Sequence, residues 1–177
     1  MTVCVGIAQE GNVFMGADST VTGGYLTFKR ALPKIFRNGS FLFGVAGSAK
    51  TADFMHYAEF PKPGPNVREF MSVSFPEMLR QLFEKMGRLH RENEIDTHDS
   101  ALLVGVRGTL WCGDANFSFS EMLPAEYAIG SGSEIAMGAL YATRGKHPRD
   151  RIRMALKAAG TYGSNIGPPY VLKTLKA

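Results

Sequence analysis

MTVCVGIA, residues 1–8, places a core strand at the very start of the chain. Val3, Val5 and Ile7 alternate with smaller residues, the period of a strand with one buried face. Ordering a chain end costs conformational entropy and usually gains little, so most termini are loose and polar. A strand that starts at Thr2 is therefore expected to have either a packing reason or a chemical task for its first residues.

Working outward, QEGN (9–12) supplies turn chemistry and VFMGAD (13–18) returns as a second strand ending on Asp18. PKIFR (33–37), the turn dipeptide Asn38-Gly39 and SFLFGVAG (40–47) read as another hairpin. The first 47 residues thus predict two hairpins of one antiparallel sheet. A helix is expected over residues 48–60 from Ser48, closed by PKPGPN (61–66). Another begins at Ser74-Phe75-Pro76-Glu77, a capping-box pattern with proline in the first turn. Its Met78, Leu79, Leu82, Phe83, Met86 and Leu89 fall on one helical face.

The charged stretch RENEIDTHDS (91–100) reads as a solvated exit loop. ALLVGV (101–106) and TLWCGD (109–114), hinged at Arg107-Gly108, and EYAIGSGS (126–133) read as strands. Ser133 is a candidate cap for a helix carrying Ile135, Ala139 and Leu140. A further helix runs from Pro148 to Gly160, and PPYVLKTL (168–175) closes as a strand. Helical segments never alternate singly with strands, which argues against a parallel doubly wound sheet. Two antiparallel sheets packed together, with helices in pairs outside, would bury every apolar face.

Composition narrows the function. The 177 residues suit one domain with a sizeable core, and 45% hydrophobic with 20% charged residues is ordinary for a soluble protein. No apolar run approaches the ~18 residues of a membrane span, and no signal peptide is visible at the start. Two cysteines, Cys4 and Cys112, make no disulfide framework and fit a reducing cytoplasm. The net charge of +4 is spread through mixed stretches without a basic block, so nucleic-acid binding is not expected.

Several motifs fail on inspection. Gly44 to Thr51 nearly spells a phosphate-binding loop, but Ala49 stands where glycine must precede the lysine. His56, His90, His98 and His147 are scattered, with no pair at ligand spacing, so neither metal nor cofactor is expected. No strand-to-helix elbow marks a serine nucleophile.

Thr2 is the better candidate. A small second residue permits removal of the initiator methionine, after which Thr2 would carry a free α-amino group beside its own hydroxyl. Such an amine has a pKa of about 7.7–8.0, so a useful fraction is neutral near pH 7 and can accept the hydroxyl proton. The strand would hold the nucleophile rigidly, and a preceding segment would block it. Asp18 and Lys34 lie where hairpin neighbours could return to Thr2. A lysine cation there lowers the pKa of amine and hydroxyl, and a carboxylate holds the lysine in place. The same two residues would equally form an ordinary ion pair.

Thr2, GADST (16–20), Lys34 in KIF, FGVAGSAKTADF (43–54) and YAIGSGSEIAMG (127–138) resemble the proteasome β-subunit family of N-terminal nucleophile hydrolases, above all its HslV-type members. The match spans nearly the whole chain. It implies an α+β fold, a four-layer αββα sandwich of two antiparallel sheets flanked by helix pairs, with residues 1–177 as a single domain. It implies a threonine peptidase acting on unfolded polypeptides, with Thr2 as nucleophile, Lys34 as the pKa-lowering lysine and Asp18 as its partner. Gly47 matches the oxyanion-binding amide, and Ser131 the serine beside the threonine amine. Thr22 and Ala49 match positions that pair with substrate backbone, while Val21, Leu32 and Val45 match an apolar side-chain pocket. Thr161 stands where many relatives carry an aspartate, and Ser164 keeps the companion serine. Stacked homo-oligomeric rings and delivery by a ring ATPase are further implications. The alternative is a non-catalytic ring subunit, which would lack the nucleophile or its lysine.

Overall fold

A computed structural model describes residues 1–176. In chain order the strands of the first half are β1 (Cys4–Gln9), β2 (Asn12–Ala17), β3 (Thr20–Gly23), β4 (Leu26–Lys29), β5 (Ile35–Asn38) and β6 (Phe41–Ala46). Helix α1 (Ala49–Tyr57) follows. The short α2 (Val67–Glu69) then runs through a π-helical turn, Phe70–Ser74, into α3 (Phe75–Lys85). Next come β7 (His90–Glu92), β8 (Ile95–Thr97), β9 (Ala101–Val106), β10 (Thr109–Gly113), β11 (Phe119–Glu121) and β12 (Glu126–Ile129). Helices α4 (Ser133–Ala142) and α5 (Pro148–Tyr162) precede the closing β13 (Val171–Leu175). The result is an α+β protein with antiparallel sheets.

A four-stranded sheet has the order β12-β1-β2-β13, and a five-stranded sheet the order β11-β10-β9-β6-β5. The two early hairpins therefore belong to different sheets, not to one as expected. The reason is that β1 and β2 are buried on both faces. They leave one face for α5 and present the other, with Cys4, Val13 and Met15, to Leu42 and Leu103 of the second sheet. A second cluster joins Val3, Val5 and Ile7 to Ala136, Leu140, Ile152 and Leu156 of α4 and α5. A third packs Phe41, Phe43 and Val104 against Met55 of α1 and Phe75, Leu79 and Phe83 of α3. Seven buried phenylalanine rings dominate that cluster, with Phe41 and Phe75 centroids 5.4 Å apart.

Other expectations need correction. The segment between the first two hairpins forms a hairpin of its own, β3–β4, in register Thr20↔Lys29 to Gly23↔Leu26. The expected exit loop at 91–100 contains β7–β8 and ends on buried His98 and Ser100. Ser74 is no cap: it has helical dihedrals because the helical run already starts at Val67, capped by the Asn66 side chain. Gly132 caps α4, so Ser133 is its first residue instead. α1 stops at Tyr57, short of Phe60. α5 passes through Gly160 to Tyr162; a Cβ at 160 would lie 2.2 Å from the Tyr170 hydroxyl, so that glycine makes room and does not end the helix. Among the described residues no helix is long and apolar enough to cross a membrane.

Candidate active site

Asp18 is the first residue beyond β2, whose Ala17 pairs with Cys4 of β1 and Val171 of β13. That register brings the carboxylate beside the start of β1. Asp18 Oδ1 accepts from Val3 N at 3.0 Å and from Lys34 Nζ at 2.8 Å, and Oδ2 accepts from Thr20 N at 3.0 Å. The Asp18 side chain is fully buried and Lys34 nearly so. A buried charge is tolerable only when paired and hydrogen-bonded, and here two backbone amides and an ammonium satisfy the carboxylate. Lys34 immediately precedes β5, and its carbonyl accepts from Val45 N at 3.0 Å, which fixes its backbone against β6.

Thr2 lies across from this pair. Its N–H donates to Ser131 Oγ at 3.2 Å, and its carbonyl accepts from Gly132 N at 3.2 Å and from Ser131 Oγ at 3.4 Å. The turn after β12 approaches closely because residue 130 is glycine, with φ +92° and an imaginary Cβ 2.4 Å from the Thr2 carbonyl oxygen. Met1 is attached, so the Thr2 nitrogen is a peptide N–H, and Thr2 Oγ1 donates to the Met1 carbonyl at 2.7 Å. Lys34 Nζ donates to the same oxygen at 3.1 Å. The hydroxyl, the ammonium and the Met1 carbonyl thus converge on one point.

Gly47 follows β6 with φ +127°, in front of α1. A Cβ there would stand 2.4 Å from the Asp99 carbonyl oxygen, so only glycine permits the turn. The turn is braced from behind. Ser48 N donates to Ser100 Oγ at 3.3 Å, Arg88 donates to Ser48 Oγ at 2.7 Å, and Arg88 pairs with Asp99 at 3.3 Å. His98 begins this loop, buried between the rings of Phe83 and Phe117 at 4.4 and 4.6 Å. Burial pulls its imidazole below the ordinary value.

Thr2, Val21, Thr22, Lys34, Val45, Gly47 and Ala49 line one cleft of about 240 Å³. A second cavity, on the side of Ser131 and Gly130, also touches Thr2 and Gly47. The predicted positions Leu32 and Ser164 line neither cavity. Leu32 is half-buried and is not among the cleft's lining residues, because β4 leads into the site through Arg30 instead. Ser164 is exposed beyond α5. Thr161, inside α5, donates to its own helix at Lys157 O, 2.9 Å. Thr20, Arg30, Ser100 and Arg88 were missed, since without the β3–β4 and β7–β8 hairpins nothing in the sequence brings them close.

Cys4 is the other nucleophilic side chain near Lys34. Burial pushes its thiol up to about 12, against the lowering influence of the lysine, so it stays protonated. Among the described residues no group of three or more histidine, cysteine, aspartate or glutamate side chains is placed to hold a metal ion.

No protein-family model matches the chain, and no curated protein matches it in sequence. Its shape does have relatives. A Thiobacillus denitrificans BPH structure in complex with epoxomicin superposes with a TM-score of 0.82 at 19% identity, covering 99% of this chain and 98% of that one. A second structure of Thiobacillus denitrificans BPH gives 0.82 at 20% identity, with the same coverage. Eukaryotic HslV from Trypanosoma brucei gives 0.69 at 20%, covering 99% of this chain and all of that one. The chain thus has the fold of the proteasome β-subunit and HslV-like proteins. Among these three its shape is nearer to BPH than to HslV.

Proposed function

We propose that the chain is a threonine peptidase of the proteasome and HslV type. The observation that carries this is the convergence of the Thr2 hydroxyl, the Lys34–Asp18 pair and Ser131 at the mouth of a cleft edged by Gly47. Once Met1 is removed, the Thr2 amine takes the proton from Oγ1 as Oγ1 attacks the peptide carbonyl. Gly47 N–H receives the oxyanion at the start of α1, where the helix dipole adds to it. The protonated amine then passes its proton to the departing amine, leaving an ester on Thr2. Water, deprotonated by the same amine, hydrolyses the ester and restores the enzyme.

Lys34 holds positive charge beside the amine so that it is neutral at working pH, and Asp18 keeps Lys34 in place. Ser131 orients the amine. Thr22 and Ala49, which both line the cleft, offer backbone to an extended substrate as an added strand.

The three apolar clusters support reading the architecture as four layers, with helix pairs outside two packed sheets, and residues 1–177 as one unit. We infer stacked rings of identical chains, with unfolded polypeptide delivered by a ring ATPase. Two free thiols suit a reducing cytoplasm. A slowly hydrolysed peptide ester tests the chemistry. Mass spectrometry of the Met1-less protein should find the acyl group on Thr2, and an acyl group on Ser131 or none at all would overturn it.

A further inference from the structure

The wall of the cleft carries a charge that an apolar pocket does not need. Arg30, the first residue after β4, lines the cleft together with Val21, Val45, Ala49 and Ala52. Its side chain is only 20% exposed, and it donates through Nη2 to Asp53, one helical turn beyond Ala49 in α1. Asp53 also lines a separate groove between α1 and α3 with Lys50, Leu82 and Lys85. Among the described residues, the charged side chains lining the cleft are those of Arg30 and Lys34, and no carboxylate lines it. The Lys34 ammonium is already committed to Asp18 and to the Met1 carbonyl. Arg30 is paired too, but through Nη2 to Asp53, and a guanidinium has further N–H donors to offer a ligand.

A guanidinium has five N–H donors in a planar fork, so one carboxylate partner leaves donors for a second. Asp53 holds the fork against the middle of α1, which lowers the entropy cost of ordering a long side chain on binding. The cleft, at about 240 Å³, has room for one side chain, with Val21, Val45, Ala49 and Ala52 to receive its methylenes. We propose that Arg30 makes this subsite selective for an acidic side chain, glutamate above all, on the residue preceding the scissile bond. The proposal rests on Thr2 as nucleophile and replaces the apolar preference expected from Val21, Leu32 and Val45.

The test uses four peptides identical except for Glu, Gln, Leu or Lys before an aminocoumarin leaving group, with kcat/KM measured on the assembled Met1-less protein. The Glu peptide should exceed Gln and Leu by about 10-fold or more, with Lys the poorest, because buried donors reward a charged acceptor and repel a cation. R30M should bring Glu down to or below Leu, with native mass spectrometry verifying that assembly is unchanged. Should R30M fail to assemble, the Glu-to-Gln ratio of the unsubstituted protein decides, since these two side chains differ in charge and hardly in shape. Cleavage that favours Leu, or that treats Glu and Gln alike, overturns the acidic subsite and leaves the peptidase standing. Cleavage of none of the four overturns both.

Discussion

Lys34 Nζ stands 2.8 Å from Asp18 Oδ1, and the same ammonium reaches 3.1 Å to the carbonyl that precedes Thr2. The pair is therefore not a surface ion pair but a buried one with a second role in view. Buried pairs are costly to build and costly to break, since removing one partner strands the other charge. Asp18 is also tied to Val3 and Thr20 by their amides, so it belongs to the fold as much as to the site.

This arrangement separates stability from catalysis. Lys34→Arg keeps the charge but not the shape, and should lower kcat by about 10²-fold or more without changing assembly. Lys34→Ala should lose activity and also about 3 kcal/mol of stability, because Asp18 is left buried with a net charge. Steady-state kinetics and thermal unfolding read the two effects apart. Equal activity in wild type and Lys34→Arg would remove the shape-dependent role.

Met1 occupies the site that the chemistry needs empty. The active protein should weigh one methionine less than the full sequence, with Thr2 first, by intact mass. A tag fused before Thr2 should abolish hydrolysis, and the same tag after Ala177 should not. Full activity with Met1 attached would exclude the Thr2 amine as base.

The Gly47 turn depends on its bracing. Gly47→Ala should abolish activity, because the new methyl would meet the Asp99 carbonyl at 2.4 Å and the backbone must move. Ser100→Ala removes the acceptor of Ser48 N–H and the hydroxyl that donates to Asp99 Oδ1, so kcat should fall about 10-fold with KM little changed. An unaltered kcat in Ser100→Ala would show that the turn holds its shape without that bond.

Much of this was legible because local chemistry and global fold agree. The alternation of Val3, Val5 and Ile7 marks β1, and Asn38-Gly39 marks the β5–β6 turn. Asp18 and Lys34 stand beside those elements, so their approach to Thr2 could be read from chain order. The β3–β4 hairpin could not: Leu26, Thr27, Phe28 and Lys29 are all exposed, so no buried face imposes a period of two. Arg30 went unseen with it. Likewise Ser74-Phe75-Pro76-Glu77 carries a helix-start signal that tertiary packing overrides, because Met71 in the preceding turn is fully buried in the phenylalanine cluster. Which sheet a hairpin joins is decided by partners far along the chain, here β9 and β12, and short-range patterns carry no trace of that.

His98 makes stability pH-dependent. Its folded pKa is depressed by burial, so the unfolded chain binds the proton more readily once pH falls through the ordinary value near 6.5. Stability from this group is fully present above that value and is lost between it and the lower folded pKa. The slope is at most about 1.4 kcal/mol per pH unit. Thermal melts from pH 7.5 to 5 should show wild type losing more than His98→Leu, which has nothing to protonate. Parallel curves for the two proteins would mean that the ring titrates normally.

The central claim is that Thr2 is the nucleophile, and exchanging its side chain tests it most directly. Hydrolysis of peptides with an acidic residue before the scissile bond should be measured for wild type, Thr2→Ala and Thr2→Ser, each lacking Met1 and each verified as assembled by native mass spectrometry. Thr2→Ala should lose at least about 10³-fold in kcat, and Thr2→Ser should keep measurable turnover because hydroxyl and amine both remain. Cleavage by Thr2→Ala at the wild-type rate would contradict the account and leave Thr2 as no more than the residue that leads into β1.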